Sequence, residues 1–536
     1  MIRRMHDWLA TAAEDRPDAP ALRWESERWT FGELEARSNR VAHLLRELGC
    51  GRGDRVAFSA PKSPDAYCAL LGALKADCIY VPLDPEGPAP RVARILAATE
   101  PRCVVAGPRS VGMTLEAVRL AGADGTQIGL LSPIDGADQP GPLAFDASSV
   151  ATMPATRPPS HAVTTDAAHL LFTSGSTGTP KGVVVTHEMV IAFVEWAVGY
   201  LQMSADERVS AHSPLTFDLS TFDTFGAIAA GAELHPVPPK QNLLAPKLVE
   251  LMRDRELTQW FSVPSVLTYL EAFDVVAEND LPHLKRLIWC GEVLPTPTLR
   301  YLMTRLPHVR FTNLYGPTEA TIASSYYTVP EVPSSPTEPI PIGSACGGEA
   351  LHVLDDDLAP CAPDTIGDLY IAGIGLSPGY WRDPEKTAGA FLEGPFEHVA
   401  ESRLYRTGDL ASVDGAGRVV FHGRADTQIK SRGYRIELGE IEAALATVEQ
   451  LRESAVVAIQ RDGFEGSLIC CGFAPDTGHE FDAPDVRKLL SKLLPRYMLP
   501  ARWLRLESLP RTSNGKVDRP TLRASFTQAE EARGGT

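Results

Sequence analysis

The stretch TFGELEARSNRVAHLLRELG (30–49) places Leu34, Val41, Leu45 and Leu48 at helical spacing. Thr30 and Glu33 stand as a capping box and Gly49 as a stop. The pattern predicts an amphipathic helix. Further on, the short apolar runs DRVAFSA (54–60) and DCIYVPLD (77–84) alternate with the helical pattern of SPDAYCALLGALKA (63–76). Alternation of this kind predicts α/β layers.

Two interruptions divide the chain. DGADQPGPLAFDASSVATMPATRPPSH (135–161) is rich in Pro, Ser, Gly and Ala, and predicts a solvent-exposed connection rather than a packed element. The second boundary falls near GRADTQIK (423–430). Before it, LYRTGDLASVDGAGRVVFHGR predicts a hairpin turning at Asp414–Gly417. After it, GYRIELGEIEAALATV predicts a helix, and SAVVAIQRD and SLICCGFAPD predict strands, enough for a small α+β domain. The expected organisation is an α/β core over 1–425, a mobile C-terminal α+β domain over 426–526 and a tail over 527–536.

Composition narrows the function classes. A chain of 536 residues with 44% apolar and 22% charged content is ordinary globular protein, long enough for two domains. A net charge of −17 disfavours nucleic acid and anionic membrane as partners. Nine scattered cysteines without a CxxC pair fit a reducing, cytoplasmic compartment. MIRRMHDWLATAAEDRPDAP has no long apolar run, so no signal peptide is expected, and no stretch approaches the length of a membrane span.

The chemistry begins at FTSGSTGTPKG (172–182). Its glycines let backbone N–H groups converge on an anion, its hydroxyls add donors, and Lys181 adds charge. The spacing does not match GxxxxGK[ST], which argues against a Walker-type nucleotidase. NLYGPTE (313–319) offers the Tyr315 ring for stacking, the Thr318 hydroxyl, and the Glu319 carboxylate as an oxygen ligand for Mg²⁺. YRTGDL (405–410) offers Asp409 to a pair of ribose hydroxyls, while Arg424, Lys430 and Lys516 supply cations.

In this order the motifs resemble the adenylate-forming (ANL) superfamily, and most of all the adenylation domains of nonribosomal peptide synthetases. The resemblance also runs through WTFGELEARSNRVA (29–42), LKADCIYVPLD (74–84), GDLYIAGIGLSPGYW (367–381), LPRYMLP (494–500) and NGKVDR (514–519). It implies that a substrate carboxylate attacks the α-phosphorus of ATP, and that a thiol then attacks the acyl-AMP. Thr173, Ser174, Gly175, Ser176, Thr177, Gly178 and Lys181 would cradle the β- and γ-phosphates. Gly291, Glu292, Asn313, Tyr315 and Gly316 would add nucleotide contacts, with Tyr315 against adenine. Thr318 would meet the α-phosphate, Glu319 Mg²⁺, Asp409 the ribose, and Arg424 ribose and phosphate. Lys516 would bridge the substrate carboxylate and ATP during adenylation. Lys430 and Gly433 would face the site for thiol attack after rotation about a hinge at Asp426.

The same resemblance places Asp218, in LTFDLSTFD (215–223), where amino-acid-activating relatives hold the α-ammonium. Leu219, Phe222, Phe261, Ile288, Cys290, Leu314, Ile322 and Ala323 would line the pocket, with Lys516 reaching the carboxylate. An apolar lining rejects charged side chains. The substrate expected is a small or cyclic aliphatic amino acid, with proline favoured by likeness to free-standing prolyl-adenylating enzymes. CGEVLP (290–295) also resembles D-alanine:carrier protein ligases. With no carrier or condensation module expected in the chain, the acceptor would be the phosphopantetheine thiol of a separate carrier protein, or coenzyme A. The rivals are an acyl-CoA synthetase, which Asp218 argues against, and an inactive scaffold relative, which Lys181, Glu319, Asp409 and Lys516 argue against.

Overall fold

A computed structural model describes residues 4–133, 143–175, 178–238, 244–460, 467–476, 481–512 and 516–534. Thr30 caps the helix Phe31–Glu47, and the capping box with Glu33 is complete. The helix Pro64–Lys75 and the strands Arg55–Ser59 and Ile79–Pro82 follow the apolar runs closely.

The first sheet has six strands in the order Gln127–Leu130, Cys103–Ala106, Arg55–Ser59, Ile79–Pro82, Ala167–Thr173 and Lys181–Thr186. All neighbours are parallel except the last pair, an antiparallel hairpin whose connection carries the glycine-rich loop. The second sheet has nine strands. Its parallel centre comprises Arg310–Tyr315, Arg286–Trp289, Gln259–Ser262, Arg208–Ala211 and Glu233–Pro236. These strands are almost entirely buried, as expected of parallel strands covered on both faces. A five-stranded antiparallel sheet follows, from Glu349–Leu354 to Val419–Arg424. Its last hairpin turns at Asp414–Gly417, with Gly417 at φ 78°.

Past Arg424 the strands join other sheets. The hairpin Gln428–Ser431/Tyr434–Glu437 leads into the helix Leu438–Leu445 and a sheet of Leu451–Gln460, Ser467–Pro475 and Arg502–Arg505. Val456, Cys471 and Phe473 face one small core, and Ala455, Val457, Ile459 and Cys470 the other. The twofold strand period separates them.

One expectation needs correction, and two others gain detail. The segment GYRIELGEIEAALATV is helical only from Leu438. Arg432 and Gly433 both have positive φ, 52° and 81°, which makes a tight hairpin turn and commits Tyr434–Glu437 to a strand. The described part of 135–161 is largely exposed, as expected, but is pinned at points: Phe145 and Val150 are buried, and Ala147–Thr152 is a short helix. Asn39 Nδ2 donates to the Ala155 carbonyl at 2.9 Å, and Asp77 Oδ2 accepts from His161 N at 2.8 Å. The last helix, Arg519–Gly534, runs through the expected boundary at 527, with Leu522 and Phe526 buried ahead of it. Among the described residues, no helix is long and apolar enough to cross a membrane.

Candidate active site

The carboxyl ends of Arg208–Ala211, Gln259–Ser262, Arg286–Trp289 and Arg310–Tyr315 lead directly into His212, Val263, Gly291 and Gly316. These residues, with Asp218, Thr318 and Asp409, line a cavity of about 330 Å³. Ligands of open α/β sheets bind at such strand ends. The far wall comes from beyond residue 425: Gln428, Lys430, Gly433, Tyr434, Arg435 and Tyr497.

Glu319 sits fully buried on a short 3-10 turn. Its Oε1 accepts from Tyr380 OH at 2.8 Å and lies 3.7 Å from Lys181 Nζ. Its Oε2 lies 2.5 Å from an Arg435 terminal nitrogen. Burial alone would raise this carboxyl, but the Arg435 and Lys181 cations outweigh it and hold the group at about 2. Lys181 also lies over the Tyr380 ring, at 5.1 Å.

The phosphate-loop residues split by position. Gly175 has no room for a side chain, since a Cβ there would lie 2.1 Å from the Thr179 carbonyl oxygen, and Gly178 has φ 80°. The Thr173 hydroxyl is buried with no hydrogen-bond partner among the described residues, a donor suited to an anion. Ser174 Oγ is engaged by the hairpin instead, donating to Arg435 O at 2.5 Å and accepting from Glu437 N at 3.1 Å. Ser176 and Thr177 lie outside the described residues.

At the nucleoside end, Tyr315 OH donates to Asp409 Oδ2 at 2.5 Å, and Arg424 pairs with Asp409 Oδ1. Arg424 also reaches Asp426 Oδ2, at 2.6 Å. One guanidinium thus joins the expected ribose ligand to the expected hinge. Lys430 Nζ lies 5.4 Å from the centre of the Tyr315 ring. Glu292 bridges the two sides, accepting from Ser265 N at 3.1 Å and Gly433 N at 2.8 Å. A side chain at Gly433 would strike Val263, with a Cβ 2.7 Å from its Cγ1.

Asp218 is a half-buried acid of the site. Its Oδ2 accepts from Thr318 Oγ1 at 2.8 Å, and burial pushes its carboxyl up to about 6. No cation pairs with it among the described residues.

Several expected residues are placed elsewhere. Lys516 is exposed and does not line the cavity. In this arrangement the hairpin turn takes the inner position, and Lys516 neither reaches the carboxylate site nor joins the pocket. Asn313 Nδ2 donates to the Pro341 carbonyl at 2.9 Å, tying strand to loop. Phe222, Phe261, Ile288, Cys290, Leu314, Ile322 and Ala323 cluster around one another in the core but stand behind the cavity. Sequence reasoning passed over Arg435, although it stands inside the quoted GYRIELGEIE, and over Tyr380 in SPGYW. It also missed Lys62, whose buried ammonium donates to the Ala211 and His212 carbonyls at 2.7 and 2.6 Å. No motif signalled that residue.

An Mg²⁺ ion fits here on limited terms. Among the described residues no three His, Cys, Asp or Glu side chains group as a metal cage. Glu319 as sole carboxylate suits Mg²⁺, which takes one or two carboxylates and completes its shell with phosphate and water. Arg435 now holds that carboxylate.

Comparison with known proteins agrees with this geometry. The AMP-binding enzyme model matches residues 9–381, and the AMP-binding enzyme C-terminal domain model matches 440–516. An L-proline–[L-prolyl-carrier protein] ligase of Streptomyces coelicolor is 35% identical over 506 residues, covering 92% of this chain and 91% of that one. Bacitracin synthase 1 of Bacillus licheniformis is 32% identical over 97% of this chain, yet the chain spans only 9% of that synthase. The Vibrio cholerae adenylation domain AlmE, solved with glycyl-adenosine-5′-phosphate, shares the fold at TM-score 0.83 and 23% identity, covering 98% of each chain. The chain belongs to the AMP-binding enzyme family, as an AMP-forming adenylation enzyme of the nonribosomal peptide synthetase type.

Proposed function

We propose that this enzyme converts a small or cyclic aliphatic amino acid and ATP to aminoacyl-AMP and pyrophosphate, then passes the aminoacyl group to the phosphopantetheine thiol of a carrier protein. The carrying observation is Asp218. A half-buried carboxylate whose only side-chain hydrogen-bond donor among the described residues is the Thr318 hydroxyl has lost much of its hydration, a cost that a cation offsets. The α-ammonium of an amino acid supplies that cation.

Bound there, the amino acid directs its carboxylate towards Thr318 and the phosphate loop. A carboxylate oxygen attacks the α-phosphorus, the new P–O bond forms, and the bond to the bridging oxygen breaks to release pyrophosphate. Lys181 and the Thr173 hydroxyl neutralise the phosphates, Asp409 and Arg424 hold the ribose, and Tyr315 carries the adenine. Mg²⁺ on Glu319 would add charge neutralisation at the phosphates.

The second step uses the arrangement described above. Lys430 and Gly433 face the cavity, whose wall continues past Tyr434 to Tyr497, two rings stacked at 3.6 Å. A thiolate entering along this wall attacks the acyl carbon, forming the thioester as the bond to AMP breaks. Lys516 serves the first step in a different orientation of the C-terminal domain, reached by rotation at Asp426. The nine cysteines, all free, suit a cytoplasmic enzyme.

Proline is the reading favoured by the 35% identical prolyl-carrier protein ligase. The test is amino-acid-dependent ATP–pyrophosphate exchange, followed by loading of a phosphopantetheinylated carrier in parallel with coenzyme A. Exchange driven by aryl or fatty acids but by no amino acid would overturn the proposal. So would thioester formed only on coenzyme A.

A further inference from the structure

We infer that the side-chain compartment beyond Asp218 is closed, so that the enzyme activates glycine or alanine and rejects proline. The inference rests on the amino-acid activation proposed above and departs from its preference for proline. The open cavity beside Asp218 ends at Leu219, Val263, Gly291 and Gly316. Behind it, Phe222, Cys290, Ile322 and Ala323 are each 1% exposed, and Phe261 and Ile288 are 0% exposed. A compartment sized for a prolyl ring would leave these walls open to water when no substrate fills it. They are closed against one another instead.

The closure is braced on every side. The Phe222 ring meets Phe261 edge-on at 5.8 Å and Phe193 edge-on at 5.5 Å. Its third neighbour is the helix itself: at Gly226 a Cβ would lie 2.6 Å from the ring, so glycine is what lets the ring lie down there. Across the pocket, Cys290 Sγ contacts the Ile322 carbonyl at 3.8 Å. Thr321 and Ile322 have φ of 54° and 69°, a left-handed backbone that β-branched residues rarely adopt. The Thr321 hydroxyl fixes that backbone by donating to the Gly375 carbonyl at 2.8 Å. A ring or branched side chain could enter only by displacing well-packed atoms, which dense interiors resist.

The test is ATP–pyrophosphate exchange by the whole chain with glycine, L-alanine, D-alanine, L-proline and L-valine. At equal subsaturating concentrations, glycine or alanine should exceed proline and valine by at least about tenfold, the low end of what one methylene is worth in a fitted pocket. Phe222→Ala and Phe261→Ala should raise the ratio of proline to alanine exchange. If either variant misfolds, the wild-type panel decides alone. Proline equal to or above alanine in the wild type would overturn the inference and leave amino-acid activation standing. Exchange with no amino acid would overturn both.

Discussion

The Arg435 guanidinium reaches 2.5 Å from Glu319 Oε2, a buried ion pair joining the C-terminal hairpin to the carboxylate expected to serve Mg²⁺. One carboxylate would therefore have two partners. With the hairpin docked, Arg435 takes it. A metal held by Glu319 would compete with Arg435 for it.

Arg435→Ala should accordingly separate the two half-reactions. Removing one partner of a buried pair costs about 3–5 kcal/mol, and Lys181 and Tyr380 remain to hold Glu319, so the low end applies. Transfer from pre-formed aminoacyl-AMP to carrier should fall roughly a hundredfold, with pyrophosphate exchange nearly unchanged. Equal loss in both assays would show that the pair serves adenylation as well.

Lys516→Ala should show the reverse. Its side chain is exposed while Lys430 and Gly433 occupy the cavity, so transfer should survive. Exchange should drop by about 2.7–4 kcal/mol if the lost cation resembles an oxyanion donor. Asp426→Pro, by fixing φ at the proposed hinge, should depress thioester formation more than exchange. Rates of both half-reactions in each variant decide the matter.

The pH dependence of substrate binding follows from Asp218. Burial raises its carboxyl to about 6, and ammonium binding favours the ionised form. Affinity for the amino acid should be full above pH 6 and fall up to tenfold per pH unit below it. KM for the amino acid, measured from pH 5 to 8, should show that break, while KM for ATP should not share it. Asp218→Ala should abolish exchange, a loss on the order of 3–5 kcal/mol, with ATP binding retained in calorimetry.

Acid stability depends on a buried histidine. His187 Nδ1 accepts from Met5 N at 3.3 Å, and burial lowers the ring to about 4. Its folded value lies below the unfolded 6.5, so the unfolded chain binds protons first as pH falls. Stability should be full above pH 6.5 and decline towards pH 4, with about 3 kcal/mol from this group. Thermal melts at successive pH values should show that slope, and His187→Gln should reduce it by this group's share, since buried His169 and His212 are each lowered to about 3 as well.

Much of this site was legible because its chemistry is local in the chain. The loop at 172–182, NLYGPTE and YRTGDL each carry their donors within a few residues. The capping box at Thr30 and the turn at Asp414–Gly417 are local in the same sense. What could not be read is long-range. Arg435 meets Glu319 across 116 positions, and Lys62 meets Ala211 across 149. The closed floor is a packing fact among Phe193, Phe222 and Phe261, and an apolar residue list does not distinguish an open pocket from a filled one. Strand Tyr434–Glu437 was hidden because its helix-like pattern yields to a turn set by Arg432 and Gly433.

The most direct measurement compares L-alanine with propionate, the same acid without its ammonium, in ATP–pyrophosphate exchange by the wild-type enzyme at pH 7.5. If Asp218 recognises the substrate by its ammonium, alanine should support exchange and propionate should fall at least a hundredfold below it, as expected when a half-buried charge is left unpaired. Exchange with propionate equal to that with alanine would contradict amino-acid activation at this site.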